Sequence, residues 1–273
     1  MQKFTYHSHT SFKNIFDGQN TAEEMISAYE QKGFTEVGIS NHCIYHPTLA
    51  KMPFMSPQNF SDINKFIDIY KQSFDWIDEA ASHHEIKVRK GLEVDFFPSA
   101  EWRKSFEKII KELKPDYLIG STHFIRSTDE SFMCGIYFLN KMPQSVSREQ
   151  KDEYQRNYWN NIILAAESGY LDFIAHLDYI CLFDLCTGTE WDEIKLKAID
   201  ALAAAKIACE VNTKGLRKRN RPFPDWDLVQ KLINKNIPLL ISDDAHGIAE
   251  TGFGFDIVES KLAELGCKNR FSF

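Results

Sequence analysis

Short apolar segments recur along the chain, and each is followed by a stretch with helical periodicity. Several of these segments are apolar on both faces, as in parallel strands that helices cover on both sides. Seven such units favour a closed α/β barrel over an open sheet. The predicted strands are 4–7, 36–40, 87–94, 117–121, 173–175, 208–211 and 238–242.

The segments between the strands place apolar residues three and four positions apart, which is the spacing of one helix face. A capping box at 21–24 begins the first helix, and Gly33 ends it. Two longer apolar stripes cover 63–77 and 154–165. We expect Thr189 and Asp225 to cap two later helices, and a last helix to cover about 256–265.

The length of 273 residues suits one domain over 1–273, because α/β barrels commonly reach about 250 residues. No repeat, low-complexity tract or linker divides the sequence. Two long segments interrupt the alternation, 43–60 with Pro47, Pro53 and Pro57, and 124–147. We expect both to be insertions at the carboxyl ends of strands, where long loops shape substrate pockets.

Composition excludes several function classes. The formal net charge of -7, with both signs interspersed, disfavours a nucleic-acid partner. The chain lacks a run of about 18 apolar residues, and its N-terminus lacks a basic and then apolar leader, so we expect a cytoplasmic protein without a membrane partner. The six scattered cysteines include no C-x-x-C pair and are expected to be reduced. The oligomeric state cannot be read from this sequence.

Histidines and carboxylates stand at or just after the ends of the predicted strands, as does Asn212. The carboxyl ends of barrel strands meet at one rim, so these side chains should converge there. One zinc ion takes about three or four protein ligands, so nine ligands imply two or three divalent ions, Zn, Mn or Fe, that share carboxylates. The candidate metal ligands are His7, His9, Asp17, His42, Glu93, His123, His176, Asp244 and His246.

A single histidine after a strand is more often structural than metal-bound, but three in equivalent positions favour ligation. His7 and His9 are two residues apart on one strand, so both can reach the same metal. Asp244 should face the site, whereas the alternation of a strand turns Asp243 away. One of these two aspartates could instead cap the next segment. Asp17 precedes a glycine, and Asp-Gly is foremost a turn signal.

Glu93 lies inside an apolar strand, where an uncompensated carboxylate would cost several kcal/mol. It therefore requires a cation nearby. That cation is either a pair of metal ions that Glu93 bridges or the side chain of Arg89 or Lys90. Asp95, two residues further along, could take the bridging role instead.

The chain resembles the PHP family (polymerase and histidinol phosphatase), and within it the histidinol-phosphate phosphatases. The resemblance implies a distorted (β/α)7 barrel of the α/β class, with the active site at the carboxyl ends of the strands, and a trinuclear metal site. Asn41 stands where the family commonly has an acidic residue, and the interval from His9 to Asp17 is longer than usual. The motifs that carry the resemblance are YHSHT, GFTEVGISNH, GLEVDF, IGSTHF, YWNNIILAAESGYLDFIAHLDYI, EVNTKGLRK and ISDDAH.

The resemblance also implies three ligand sets and a reaction. The sets are His7, His9, Glu93 and Asp244 for one metal, Glu93, His123 and His176 for a second, and Asp17, His42 and His246 for the third. The reaction would be hydrolysis of a small phosphorylated metabolite, L-histidinol phosphate, by a metal-bridging hydroxide. Glu93, Asp244 and His246 would be the catalytic residues. A net charge of +3 from three divalent ions and three carboxylates would suit a phosphate dianion.

Two other functions stay open. The chain could be a PHP phosphatase or phosphodiesterase for another small phosphorylated metabolite. It could also be an inactive regulatory PHP module, which should show broken ligand sets.

EVNTKGLRK is similar to the family segment that carries a phosphate-binding arginine, here Arg217. A planar guanidinium matches the geometry of a phosphate group. Lys214 and Lys218 could add positive charge or belong to a solvated basic loop. Arg126, which follows His123, is a further candidate for substrate binding.

Overall fold

A computed structural model of the protein describes residues 1–49, 62–141 and 146–273. The strands in this part of the chain are β1 (Phe4–Thr5), β2 (Glu36–Ile39), β3 (His42–Cys43), β4 (Lys87–Asp95), β5 (Tyr117–Ser121), β6 (Phe124–Arg126), β7 (Met133–Gly135), β8 (Phe173–Ile174), β9 (Ala208–Asn212) and β10 (Leu239–Ser242). The helices are α1 (Ala22–Gln31), α2 (Ile63–Ala81), α3 (Ala100–Leu113), α4 (Arg148–Glu167), α5 (Asp192–Ala205), α6 (Lys214–Arg219), α7 (Trp226–Asn234) and α8 (Phe255–Glu264).

Seven strands form a nearly closed parallel barrel in the order β1, β2, β4, β5, β8, β9 and β10. β3 continues the layer beyond the end of β2 by pairing with the last residues of β4. This arrangement confirms the prediction of a seven-stranded α/β barrel. None of the described helices is both long enough and apolar enough to span a membrane.

Two contacts close the barrel between its first and last strands. Near the amino ends of the strands, the Gln2 side chain donates to the Ile241 carbonyl at 2.6 Å and accepts from the Ile241 amide at 3.0 Å. Near the carboxyl ends, Ser8 forms a parallel bridge with Ala245, and the His9 amide donates to the Ala245 carbonyl at 2.9 Å.

Apolar side chains fill the space on both sides of the barrel wall. An outer layer packs the strands against the helices, and a smaller cluster lies inside the barrel. A Cβ atom at Gly38 or Gly91 would lie 2.2 Å from the side chain of Tyr117 in the inner cluster, so glycine at both positions makes room for that ring. The buried members of the inner cluster are Tyr6, Tyr117, Ile119, Phe173, Ala175, Ala208 and Leu240.

The C-terminal residues close the bottom of this inner cluster. The Phe271 amide donates to the Leu239 carbonyl at 2.9 Å, which attaches the tail to β10. The Phe271 ring lies 5.9 Å from Phe173, and the Phe273 ring lies 4.9 Å from Tyr6, measured between centroids. The amino end of the barrel is therefore packed with aromatic rings, which leaves the carboxyl end for a site.

Helix starts follow the sequence signals in part. The capping box that begins α1 is confirmed. The prediction for Thr189 is wrong, because a 3-10 turn covers Thr189–Trp191 and Trp191 is the N-cap of α5. Asp225 is the N-cap residue of α7 but makes no capping hydrogen bond; its carboxylate instead pairs with Arg221 at 2.8 Å.

Helix α3 was not among the predicted helices, although its signals are present. The Ser99 hydroxyl accepts a hydrogen bond from the Trp102 amide and so caps the helix. Trp102, Phe106 and Ile109 are buried at helical spacing on one face. The same criteria that identified α1 would have identified α3.

The two predicted insertions are described in part. The segment 124–147 contains an antiparallel hairpin, β6 with β7, and then a 3-10 helix over Ile136–Lys141. Residues 142–145 of this insertion, and residues 50–61 with most of the insertion 43–60, lie outside the described part of the chain.

Candidate metal centre

All nine candidate metal ligands come together at the carboxyl ends of the barrel strands. In four groups, the possible ligand atoms lie within 4.8 Å of one another. The groups share members, as expected for neighbouring ions with common ligands. They are His9, Asp17, His42 and His246; His7, His176 and Asp244; His7, His9 and Glu93; and His42, Glu93 and His123.

The Glu93 carboxylate is the centre of this arrangement, fully buried in β4. Five histidines from four chain segments surround it. Their ring nitrogens are 2.9 Å (His176), 3.4 Å (His7) and 3.5 Å (His123) from Oε1, and 2.6 Å (His42) and 3.5 Å (His9) from Oε2. Each carboxylate oxygen therefore faces a different group of nitrogens, as a bridging ligand should.

The closing bridge of the barrel brings two ligand pairs side by side. Ser8 lies between His7 and His9, and its partner Ala245 lies between Asp244 and His246. Asp244 Oδ1 is consequently 3.3 Å from His9 Nε2 and 3.6 Å from His7 Nε2. The backbone of Asp244 has a φ of 47°, an uncommon conformation for an aspartate that aims its carboxylate into the site.

The Asp17 carboxylate reaches the same site from a loop rather than from a strand. Its Oδ2 is 3.1 Å from His246 Nε2 and 3.4 Å from His42 Nε2. The loop folds back on itself, because a Cβ at Gly18 would lie 2.3 Å from the Thr10 backbone. This folding explains how the long interval after His9 still delivers a ligand. The Asp17 side chain is 51% exposed, so this group lies at the mouth of the site.

Charge at the buried centre favours bound cations. Burial would lower the pKa of His7, but three nearby carboxylates raise it well above its ordinary value. Burial would raise the pKa of Glu93, but the surrounding histidines hold it well below its usual range. Burial, together with the other histidines, holds the pKa of His9 low, which keeps it in the neutral form that binds metals.

Several of these ring nitrogens are buried and make no hydrogen bond with the described residues. They include His7 Nε2, both ring nitrogens of His9, and His176 Nδ1. Buried polar atoms normally have partners. Unpaired nitrogens beside ionised carboxylates fit a group of divalent metal ions, and the mixture of imidazole and carboxylate accepts Zn, Mn or Fe.

Glu210 supports the centre from behind, and sequence analysis missed it. This fully buried carboxylate of β9 accepts from His7 Nδ1 at 2.9 Å, from the His176 amide at 2.7 Å and from the Asn212 amide group at 2.7 Å. It therefore orients His7 so that Nε2 faces the metal positions. A carboxylate in an apolar strand was the signal that identified Glu93, and it applies equally to Glu210.

Asp95 does not replace Glu93 at the centre of the site, which was the alternative drawn from the sequence. It accepts from His123 Nδ1 at 3.0 Å and from the His123 amide at 2.7 Å, so it orients that imidazole. The alternative cations for Glu93 are also excluded. Arg89 pairs with Glu36 and Lys90 with Asp78, outside the site.

Neighbouring polar residues hold the ligands from outside. Asp243 points away from the site, as expected, and accepts from the Tyr29 hydroxyl at 2.9 Å; burial raises its pKa to about 6. Asn212 donates to Asp244 Oδ2 at 3.3 Å. Asn41 accepts from the Thr10 amide at 2.9 Å, so it holds the loop after His9.

The structure does not support the assignment of Arg217 to the phosphate. Its guanidinium donates to the Asp243 carbonyl at 3.2 Å and lies 3.3 Å from the Glu250 carboxylate, outside the pocket at the metal centre. Lys218 is exposed, in agreement with a solvated position. Arg126 donates to the Ser127 carbonyl and lines a separate cavity of about 540 Å³, which contains none of the nine candidate ligands.

Among the described residues that line the pocket, Lys214 is the one with an ammonium group. Its Nζ lies 2.9 Å from Asp244 Oδ1 and 3.4 Å from His246 Nδ1. The pocket has a volume of about 480 Å³. Its lining residues are Asn14, Ile15, Phe16, Asp17, His42, Ile44, His123, Phe124, Gly135, Tyr179, Lys214 and His246.

Comparison with known proteins gives a family and relatives. The family model for the PHP domain matches residues 5–214. A protein of Deinococcus radiodurans named "Probable histidinol-phosphatase" is 31% identical over 185 residues, and this alignment spans 66% of each chain. A Schizosaccharomyces pombe protein of the same name is 23% identical over 279 residues, which span 95% of this chain and 86% of the relative.

A solved structure shares the fold over the whole chain. It is the histidinol phosphate phosphatase of Lactococcus lactis, crystallised with zinc, L-histidinol and phosphate. Its TM-score is 0.71 at 18% sequence identity, and the alignment covers 100% of this chain and 97% of that one.

Proposed function

Because the chain belongs to the PHP domain family, we propose that it is a metal-dependent phosphatase that hydrolyses L-histidinol phosphate to L-histidinol and phosphate. The observation that carries this proposal is the convergence of nine ligand side chains around the buried Glu93 carboxylate, at the floor of a pocket that also contains a lysine. The names of the two relatives support the choice of substrate.

The proposed metal content is two or three divalent ions. We assign His7, His9, Glu93 and Asp244 to one ion, Glu93, His123 and His176 to a second, and Asp17, His42 and His246 to a third. The approach of His123 and His176 to Glu93 Oε1, and of His42 and His246 to Asp17 Oδ2, supports this division. Zinc in the Lactococcus protein makes zinc the first candidate, with manganese and iron as alternatives. When bound, such ions lower the pKa of a coordinated water and supply a hydroxide nucleophile near neutral pH.

Four residues of the chain have proposed roles in the hydrolysis besides supplying metal ligands. Glu93 would bridge ions, which fixes their separation. Asp244 Oδ1 lies 3.4 Å from Nδ1 of the pocket-lining His246, and these two residues would hold the proton of the attacking water. The Lys214 ammonium lies beside both, so it can neutralise charge on a bound phosphate.

The pocket walls suit a small leaving group. Ile15, Phe16, Ile44 and Phe124 form apolar walls above the metal ligands. A cavity of about 480 Å³ is of the size that binds small metabolites. The partner is therefore a small phosphorylated metabolite. The cytoplasmic location and the absence of nucleic-acid and membrane partners stay predictions.

An inactive module should show broken ligand sets. Here all nine positions carry ligand residues, and the outer carboxylates Glu210 and Asp95 orient two of the histidines. This arrangement favours a working enzyme over a regulatory domain.

Phosphate release from L-histidinol phosphate tests the proposal. The chelated protein would be reconstituted separately with Zn, Mn and Fe, and assayed against a panel of phosphomonoesters that also contains aliphatic sugar and glycerol phosphates. We expect metal-dependent turnover with the highest kcat/KM for L-histidinol phosphate. A higher kcat/KM for another monoester would reassign the substrate, and no turnover with any metal would refute the phosphatase.

A further inference from the structure

Tyr179 occupies a fixed position in the wall of the metal pocket. It begins the 3-10 helix Tyr179–Phe183, and its amide donates to the His176 carbonyl at 2.8 Å. Its ring stands edge-on to His123 at 5.3 Å and lies 4.9 Å from His176. The ring also packs against Phe223, with the centroids 5.7 Å apart. These contacts hold the ring directly beside two candidate metal ligands.

The Tyr179 hydroxyl makes no hydrogen bond with the described residues. Three fully buried tyrosines have partners for the same group, whereas the buried hydroxyl of Tyr6 has none among the described residues. Tyr29 donates to Asp243, Tyr117 to the Tyr6 carbonyl and Tyr158 to the Leu177 carbonyl. The side chain of Tyr179 differs because it lines the pocket, so its hydroxyl is available to a bound molecule.

The surroundings of Tyr179 suit an anionic group. Lys214 lines the same pocket and interacts electrostatically with Tyr179. Among the described lining residues that are not candidate metal ligands, Lys214, Tyr179 and the exposed Asn14 carry the polar side chains, and the others are apolar or glycine. Of these three, Tyr179 is the one held against the rings of two candidate metal ligands.

We propose that Tyr179 is a substrate-contacting residue, whose hydroxyl donates a hydrogen bond to a phosphate oxygen that also faces Lys214. This inference rests on the proposed function, because it requires a phosphate group in the pocket. The hydroxyl supplements a single lysine in a pocket from which Arg217 is turned away. Hydrogen bonds to charged groups commonly change affinity by about ten- to a hundredfold.

The test compares Tyr179→Phe with the wild type as metal-loaded proteins. This change removes the hydroxyl but keeps the ring against His123 and His176. Tyr170→Phe is the matched control, because the Tyr170 hydroxyl donates to the exposed Glu107, away from the pocket. The measurements are metal content, the dissociation constant of inorganic phosphate by calorimetry, and kcat and KM for L-histidinol phosphate.

We expect Tyr179→Phe to keep its metals, to bind inorganic phosphate about tenfold more weakly and to raise KM, while Tyr170→Phe matches the wild type. Unchanged phosphate affinity would overturn the inference, and so would loss of metal, which would show that the hydroxyl supports the ligands instead. Phosphate calorimetry separates this result from the proposed function: a wild type that binds phosphate but hydrolyses no monoester refutes the phosphatase and leaves the Tyr179 contact testable.

Discussion

At the scale of single residues, the centre depends on how each buried charge is compensated. Glu93 and Glu210 are both carboxylates inside apolar strands, but their partners differ. Glu93 Oε1 accepts from the Ser121 hydroxyl and lies 2.9 Å from His176 Nε2, but Glu93 Oε2 has no hydrogen-bond partner among the described residues. Both oxygens of Glu210 accept hydrogen bonds. A carboxylate with donors on both oxygens is satisfied by the protein, so Glu93 is the one that requires metal ions.

This difference predicts a graded mutation series. Glu93→Gln should reduce phosphatase activity by roughly a hundredfold or more, because it weakens two metal positions at once. Asp95→Asn and Glu210→Gln, which act through His123 and His7, should lower metal affinity by about ten- to a hundredfold. Activity and metal content after dialysis against a metal buffer check this order. If Asp95→Asn proved more damaging than Glu93→Gln, the bridging role of Glu93 would be wrong.

A second residue-scale prediction concerns the phosphate-facing cation. Lys214→Met should raise KM for a phosphomonoester and lower kcat/KM, because the pocket loses its ammonium group. The expected fall in kcat/KM corresponds to a loss of about 2 to 3 kcal/mol of transition-state stabilisation. Lys218→Met is the matched control, since Lys218 is exposed on the same helix. Steady-state kinetics at equal metal content give the comparison. Equal losses in both variants would show only a general charge effect.

The sequence could predict which candidate ligands converge, but not which of the four candidate cations, Arg217, Lys214, Lys218 and Arg126, lines the pocket. Parallel strands bring their carboxyl ends to one rim, so ligand positions follow from strand ends. Which of the three candidate cations on α6 faces the pocket depends on how this short helix is rotated about its own axis. A Cβ at Gly215 would lie 2.4 Å from the Arg221 carbonyl, so close backbone packing sets this rotation. That contact is made in three dimensions and has no local sequence signal.

At the scale of elements, α1 is tied to the turn before β4 by an ion pair. His84 Nδ1 lies 2.8 Å from Glu30 Oε2, and Nε2 lies 3.0 Å from Glu23 Oε1. The hydrogen bond with Glu30 raises the pKa of His84, and the same bond lowers the pKa of Glu30. The pair is strongest when the imidazole is protonated and the carboxylate is ionised.

The contribution of the His84–Glu30 pair to stability should depend on pH. Because the pKa of His84 is raised, its contribution to stability is complete below the unfolded value of about 6.5 and is lost as pH rises through the folded value. Because the pKa of Glu30 is lowered, its contribution is present above about 4.3 and is lost as pH falls through the folded value. His84→Gln should therefore lower the urea midpoint at pH 6 and change it little at pH 9.

His83→Gln is the control for this prediction, because His83 Nδ1 lies 3.1 Å from Glu23 Oε2 but its side chain is 60% exposed, so solvent screens that pair. Urea unfolding of both variants at the two pH values checks it. A loss for His84→Gln that is as large at pH 9 as at pH 6 would show that packing, and not charge, holds the turn.

Helices and strands could be predicted from the sequence where an apolar pattern repeats over several turns or where a capping motif is present. The capping box of α1 and the apolar stripes of α2 and α4 gave their positions, and α3 carries signals of the same kind. The hairpin β6–β7 has strands of three residues each, too short for an alternation to show. The start of α5 was misplaced because a 3-10 turn precedes it.

At the scale of the whole molecule, the candidate metal ligands come from both edges and the middle of the barrel sheet. They follow β1, β5, β8 and β10, or lie in β3 and β4, so metal binding should stabilise the chain as one unit. We expect a single thermal transition for residues 1–273 in calorimetry, with and without a chelator. Removing the metal ions should lower the midpoint temperature of this transition by about 10 °C, because the ions bind tightly to the folded chain and not to the unfolded chain. Two transitions, only one of which responds to the chelator, would contradict a single domain.

The central claim is that nine converging side chains bind a cluster of metal ions that hydrolyses a phosphomonoester. Its most direct test is the number of metal ions per chain, measured by elemental analysis on protein purified without chelator and fully active on L-histidinol phosphate. We predict two or three ions per chain, because nine ligands are too many for one ion. A reproducible value near one, at full activity, would contradict the claim.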